Sequence, residues 1–259
     1  FLNSDRPMRS VALTSSLPAE GKSLTNVLLA KTIVEMGQRV LLVDADLRKP
    51  QMHHRLGLNN LIGLSNLLTE DDLDWRQAIQ KVEGYEGWTV LTAGRRPPDP
   101  IRLLSSARMG QLVNDLATSG DFDLILYDTP PVLGLADAAL VAEHIDGLML
   151  LVSLGRVDRG LPNEAIARIR STGAQLLGVV TNSVTEDSNT NTSYGYGNRY
   201  KYGYGYGYGY GYGGYDTRSA YSYYGEADAA PETKADASPR SWGGQATKLR
   251  RRFLHWIDS

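Results

Sequence analysis

The residues best suited to chemistry are Ser16-Leu17-Pro18-Ala19-Glu20-Gly21-Lys22-Ser23, which follow an apolar run and precede a helical one. In that setting successive backbone N–H groups curl around a phosphate, and the helix adds the positive end of its dipole. Leu17, Pro18, Ala19, Glu20, Gly21, Lys22, Ser23 and Leu24 are therefore candidate nucleotide-binding residues. Lys22 would neutralise β- and γ-phosphate oxygens, and the Ser23 hydroxyl is placed to ligate Mg²⁺. A phosphate loop usually opens with glycine where Ser16 stands, and Pro18 and Glu20 stiffen this one. The competing reading is an ordinary strand–turn–helix with a chance Gly-Lys-Ser.

Two acidic motifs argue against chance. Asp44-Ala45-Asp46-Leu47-Arg48 closes the second apolar run. Residues two apart along a strand point the same way, so both acids could face one magnesium site; alone, the pair reads equally as a solvated loop. Asp123-Leu124-Ile125-Leu126-Tyr127-Asp128 ends an apolar strand in Asp128, the form of a Walker B acid holding the Mg²⁺ hydration shell. Lys22, Asp44, Asp46 and Asp128 are the catalytic candidates, and Ser23, Asp44, Asp46 and Asp128 the candidate magnesium ligands. Asn182, after the last apolar run, either reads an adenine edge with its donor and acceptor or ends the strand in a turn. His53, His54, His144 and His255 lack metal-ligand spacing and read as surface residues; Arg95, Arg96, Arg102 and Arg108 read as a solvated face or as subunit contacts.

These residues need a scaffold that brings several strand ends to one edge. Strands are predicted at 10–14, 40–43, 88–91, 123–127, 148–152 and 176–180. Most are continuously apolar, as in strands of a parallel sheet buried between two helix layers. Helices are predicted at Ser23–Met36, ending at Gly37, and at 107–117, 136–143 and 161–171. Pro97-Pro98-Asp99-Pro100 reads as a rigid surface connection. The fold class expected is α/β: a doubly wound, mostly parallel P-loop NTPase sheet of the deviant Walker A class, with ligands at the carboxyl ends of the strands.

Composition bounds the rest. The chain has 259 residues, 42% apolar and 22% charged, without cysteine, which excludes disulfides, thiolate metal sites and a cysteine nucleophile. No apolar run approaches the roughly 18 residues of a membrane span, and no signal-peptide pattern opens the chain. It begins with Phe1 rather than Met, so a fragment of a longer protein is expected. Thirteen of the 15 tyrosines lie between Tyr194 and Tyr224, alternating with glycine through much of that stretch. Net charge is −5 before residue 194 and +3 from there on. The expected organisation is a folded domain over 1–184 and a disordered tail over 185–259. A short basic amphipathic helix within 246–258 is one reading of the end, and a frayed solvated end the other.

With these motifs the chain resembles the bacterial tyrosine kinase family, the cytoplasmic autokinase domains of Wzc-like polysaccharide co-polymerases. The resemblance rests on 15–23, on Val43-Asp44-Ala45-Asp46-Leu47-Arg48-Lys49-Pro50 and on Asp128-Thr129-Pro130-Pro131-Val132-Leu133, supported by Gly63-Leu64-Ser65-Asn66-Leu67-Leu68 and the tyrosine cluster. ATPases that position division sites usually carry a lysine where Leu17 stands, and iron–sulfur scaffold relatives need cysteines. Family members usually carry a Glu-x-x-Arg-x-x-Arg helix before the first strand, and the few residues before Arg9 show none.

The resemblance implies an ATP- and Mg²⁺-dependent protein-tyrosine autokinase with Asp44 as the base. The implied acceptors are Tyr194, Tyr196, Tyr200, Tyr202, Tyr204, Tyr206, Tyr208, Tyr210, Tyr212, Tyr215, Tyr221, Tyr223 and Tyr224. From Thr185 to Tyr194 the chain can span at most about 30 Å, so geometry permits transfer in cis or in trans, and the resemblance implies trans. It further implies partnership with other copies of the chain, possible ring assembly included, with a cognate tyrosine phosphatase and with the membrane part of a polysaccharide co-polymerase. That places this soluble fragment at the cytoplasmic face of the bacterial inner membrane, in exopolysaccharide or capsule polymerisation and export, with no nucleic-acid partner. The alternative is a MinD/ParA-like ATPase switch whose Tyr-Gly tail is an interaction segment, since tyrosine faces stack on one another and on bases.

Overall fold

The structure, a computed structural model, describes residues 8–183. Its strands are β1 (Ser10–Ser15), β2 (Val40–Asp44), β3 (Ile79–Lys81), β4 (Trp88–Leu91), β5 (Leu124–Asp128), β6 (Gly147–Ser153) and β7 (Leu176–Asn182). The helices are α1 (Lys22–Glu35), α2 (Met52–Leu56), α3 (Leu64–Leu67), α4 (Trp75–Ala78), α5 (Pro100–Leu104), α6 (Ala107–Thr118), α7 (Asp137–Ala142) and α8 (Leu161–Ser171).

Continuous apolar runs become strands covered on both faces. In β2, Val40 and Leu42 pack into a core with Val27, Ala30 and Val34 of α1, while Leu41 and Val43 enter a second core with Met109, Val113 and Leu116 of α6. β1 and β5 divide in the same way, Val11 and Leu126 to the first core, Ala12 and Ile125 to the second. The period of two along a strand thus builds two cores from one run of apolar residues. The sheet has strand order β3-β4-β2-β5-β1-β6-β7. All its pairings are parallel except β3 with β4. The carboxyl ends of β1, β2 and β5 therefore meet at one edge, the geometry that a doubly wound sheet gives to a ligand site.

The six predicted strands and four predicted helices are all present. The three-residue edge strand β3 and the short helices α2, α3, α4 and α5 are additions, each too short to leave a periodic signal. The segment read as a surface connection ends differently: Pro100 is buried and opens α5, where its fixed φ suits a first helical turn. Asp99 caps that helix by accepting from the Arg102 amide at 3.0 Å. Arg108 is no solvated arginine, since it donates to Asp71 and to the carbonyls of Leu67 and Glu70. His53 and His144 are half-buried rather than surface residues, each with a buried ring nitrogen that finds no partner. The domain boundary at 184, the tail over 185–259, the tyrosines from Tyr194 to Tyr224, His255 and the basic helix within 246–258 lie outside the described residues.

α3 is held against the extension of β4 by main-chain bonds: Leu64 N–H donates to Thr92 O at 2.8 Å and Ser65 N–H to Ala93 O at 2.9 Å. Gly63, just before it, is where the two backbones touch. A Cβ there would lie 2.2 Å from Thr92 O and 2.4 Å from Gly94 N, backbone atoms that cannot rotate away. Gly63→Ala is expected to destabilise the domain by about 1–3 kcal/mol, lowering the melting temperature by roughly 2–4 °C per kcal/mol. An unchanged thermal unfolding curve would contradict this packing.

Candidate active site

The loop after β1 turns through two left-handed residues, Ala19 (φ 62°) and Gly21 (φ 101°), and delivers the chain into the 14-residue α1. Gly21 caps α1 without a side-chain bond, so the first-turn N–H groups, which have no acceptor within the helix, keep their capacity for an anion. Glu20 turns inward. It accepts from Leu17 N–H at 2.7 Å and, across the sheet, from Ser153 N–H at 2.9 Å. Burial raises its carboxyl above the ordinary value against the pull of those amides. The loop is thus stapled to β6 by its own carboxylate. Lys22 is buried, with Nζ donating to Ser15 Oγ at 3.1 Å. Burial lowers its ammonium pKa, and Asp128, Asp46 and Glu20 act in the opposite sense.

The acids come from the neighbouring strand ends. Asp44 and Asp128 are directly paired in the β2–β5 register, and both are buried. Asp128 accepts from Ser23 Oγ–H at 2.7 Å and from Asn26 Nδ2 at 2.9 Å, binding the Walker B acid to the first turn of α1. Asp44 Oδ2 accepts from the amides of Gln51 and Met52, each at 3.0 Å, where α2 begins, while its Oδ1 is buried without a protein partner. Asp46 accepts from Lys49 N–H at 2.9 Å. Arg48 donates through Nε to Asp137 at 2.9 Å, tying this loop to the first turn of α7. Burial is the largest influence on both paired acids: it raises Asp128 to about 6 and Asp44 well above the ordinary carboxylate range, with Asp128 the next cause for Asp44.

Lys22, Ser23, Asp44, Asp46 and Asp128 therefore converge at one sheet edge, with Leu17, Pro18, Ala19, Glu20 and Gly21 forming the loop beside them and Leu24 following in α1. Asn182 sits on the loop: its Nδ2 donates to Glu20 O at 2.8 Å and its Oδ1 accepts from Ser183 N–H at 2.8 Å. Among the described residues no three Asp, Glu, His or Cys side chains close into a metal cage. Mg²⁺ needs none, because it takes one or two carboxylates and completes its shell with phosphate oxygens and water. The buried orphan oxygen of Asp44 and the Ser23–Asp128 pair fit that demand. The sequence reading missed Asn26, the inward role of the Glu20 side chain, and the Arg48–Asp137 pair. Asn26 had a usable signal, since a residue three beyond Ser23 shares its helix face. Arg48 and Asp137 stand 89 positions apart and gave none.

No family model matches the chain. Its sequence is similar to the tyrosine-protein kinase YwqD of Bacillus subtilis, at 37% identity over 70% of this chain and 75% of that protein. It is similar to CapB of Staphylococcus aureus at 32% identity, over 73% of this chain and 82% of that one. The tyrosine-protein kinase Etk of Escherichia coli K12 matches at 34% identity over 69% of this chain, which spans only 24% of Etk. Among solved structures, the kinase domain of E. coli ETK superposes with a TM-score of 0.66 at 32% identity, covering 74% of each chain. The chimerical protein CapA2B2 gives 0.66 at 32%, covering 71% of this chain and 79% of the other. MinD of Aquifex aeolicus, at 0.55 and 22% identity over 68% and 70%, shares the fold alone.

The buried acid pair sets a pH dependence for the nucleotide-free chain. An unfolded aspartate titrates near 3.8, below the folded values of Asp128 and Asp44. For Asp128 the stability that its proton contributes is complete below about 4 and is lost as pH rises through about 6. The Asp44 contribution is lost as pH rises through that group's own raised value. Asp44→Asn removes one of the two buried acids that must ionise in the folded chain, so it is expected to flatten that loss. At pH 7.5 the variant should melt a few degrees above the parent, a relief of about 1–2 kcal/mol. Thermal unfolding from pH 4 to 8 checks this, and parallel curves for the two proteins would contradict it.

Proposed function

The chain belongs to the bacterial tyrosine-protein kinase family, and from that premise we propose how its site works. It transfers the γ-phosphoryl of ATP to tyrosines of the 194–224 cluster, with a second copy of the chain as the acceptor. The observation that carries this reading is the convergence of one lysine, one serine and three aspartates at the edge where β7 ends with Asn182 on the phosphate loop.

In this proposal the open N-terminus of α1 and the loop amides of residues 19–24 cradle the phosphates, with Leu17 and Pro18 shaping the loop, and Lys22 neutralises charge on the transferred group. Ser23, Asp46 and Asp128, with Asp44 beside them, would hold Mg²⁺, which would supply further charge neutralisation. Asp44 orients the acceptor hydroxyl and takes its proton. A phenol titrates near ~10 in water, and the raised proton affinity of Asp44 narrows the mismatch between base and acid. Asn182 serves the adenine side of the site through its place on the loop, and Ser153 keeps Glu20 from swinging into the phosphates.

Each phosphate adds about −1.5 to −2 charge, so a few on the tail reverse its net charge of +3 and repel a domain that is already acidic. That supports a cycle in which phosphorylation separates copies of the chain and a tyrosine phosphatase resets it. Among the described residues no helix is long and apolar enough to cross a membrane. The place proposed for the chain is beside the membrane part of a polysaccharide co-polymerase, upstream in the same protein or on a separate subunit, in exopolysaccharide or capsule export.

Incubation with Mg²⁺ and ATP followed by intact mass measurement tests the reaction. A ladder of phosphate additions is expected on the parent, and Lys22→Met should slow it on the order of 10²–10³-fold. Loss of ATP as free phosphate without a ladder would replace the kinase reading with an ATPase switch.

A further inference from the structure

Between α2 and α3 the chain forms a short tip at the same sheet edge as the site, and the tip presents Leu61 and Ile62 to solvent at 64% and 44% exposure. The backbone beneath them is tightly held. Asn59 exchanges two bonds with the Gln80 side chain, at 2.9 and 2.8 Å, and its Oδ1 accepts from Leu61 N–H at 2.8 Å. Asn60 exchanges two more with Gly94, both at 2.9 Å. Thr92 Oγ1 approaches the carbonyls of Asn59 and Ile62 at 3.1 and 3.3 Å. Side-chain bonds spent on fixing a loop that leaves two adjacent aliphatic residues in water describe a preformed contact, since exposure is not forced by lack of order.

The tip's distance from the acids follows from register. Val43 pairs with Leu91, so Asp44 stands level with Thr92, one strand spacing of about 4.8 Å away. Through Thr92 the Ile62 backbone lies within roughly 10 Å of the Asp44 backbone. In an extended chain alternate residues point to one side and lie about 6.6–7 Å apart. From Tyr202 to Tyr212 the sequence repeats Tyr-Gly without a break, so a bound repeat would carry phenol rings at that spacing on a single face. When one ring reaches Asp44, the ring two residues along falls at the tip. The stretch is also uncharged, as are residues 57–63 of the tip, so apolar contact rather than ion pairing would hold it. The described chain ends at Ser183, next to Asn182 at this same edge, and Tyr202 follows 19 residues later, a span of at most roughly 60–70 Å that puts the segment within reach.

We propose that Leu61 and Ile62 dock the Tyr202–Tyr212 repeat of the acceptor chain, holding a neighbouring tyrosine ring so that its partner sits at Asp44. This rests on the kinase reading above and adds the means by which that site selects its substrate: a ring beside the acceptor ring. It also explains the repeat itself, because after one transfer the segment can step by two residues and present the next hydroxyl in the same frame.

A double-mutant cycle on the full chain tests the docking. At subsaturating protein concentration, Leu61→Ser with Ile62→Ser should slow phosphate addition per tyrosine about tenfold, which is 1.4 kcal/mol. Serine at Tyr204, Tyr208 and Tyr212 removes alternate rings of the repeat and should slow the remaining tyrosines comparably. Phenylalanine at the same three positions removes three acceptor hydroxyls but keeps the rings, and should restore most of the rate per remaining tyrosine that the serine variant loses. The tip and tail-serine changes combined should cost no more than either alone, the signature of a shared contact. Multiplying effects, a tip variant that works at the parent rate, or one that changes only sedimentation of the chain would overturn the docking. A parent that builds no phosphate ladder would instead remove the kinase reading, so the two failures are told apart.

Discussion

Two carboxyl groups buried side by side, at the ends of adjacent parallel strands, are the constraint on which the rest of this site depends. Asp44 and Asp128 share a register position and have lost their water, and burial raises the proton affinity of both, with Asp128 adding to the rise at Asp44 and Asp46 to the rise at Asp128. Such a pair opposes folding in the absence of a compensating cation. The surrounding structure supplies partial compensation in the form of directed donors: Ser23 and Asn26 toward Asp128, and the first amides of α2 toward Asp44. One oxygen of Asp44 is left without any. A site held short of neutrality is one in which a magnesium–nucleotide complex relieves unfavourable electrostatics when it binds, so ligand affinity and fold stability draw on the same source.

The loops that carry these acids are held from outside the site. Glu20 ties the phosphate loop to β6 through the Ser153 amide, and Arg48 ties the loop after β2 to α7 through Asp137. Both anchors are charged and largely buried, and each links elements that are distant in sequence. Catalytic geometry needs its reacting groups placed by partners whose own positions are fixed. Here those partners sit on the sheet and on a helix rather than on mobile loops.

The architecture was legible because buried parallel strands read as unbroken apolar runs, and the phosphate loop because strand, turn, Gly-Lys-Ser and helix occur in immediate succession. Asp128 was legible for a similar reason: an acid ending an apolar strand is rare unless something needs it. What escaped was tertiary. Glu20 looked like a stiffener of its loop, and only the fold reveals that its carboxylate is taken up by the Leu17 and Ser153 amides. His53 looked exposed because two adjacent histidines are polar, whereas burial lowers its pKa to about 4, with His54 the second cause. Arg108 looked solvated, yet its fork is filled by one carboxylate and two carbonyls. Short elements such as β3 and α3 carry too few residues for periodicity, and they form because β4 is already there to receive them.

The seat of Asn182 ties together two parts of the chain that lie 162 positions apart. A Cβ on residue 21 would meet Asn182 Nδ2 at 2.6 Å, so glycine there is demanded twice, once by its left-handed backbone and once by this neighbour. A smaller residue at 182 would clear the space but leave the backbone demand, so position 21 stays glycine whatever faces it, whereas the seat at 182 depends on that glycine being there.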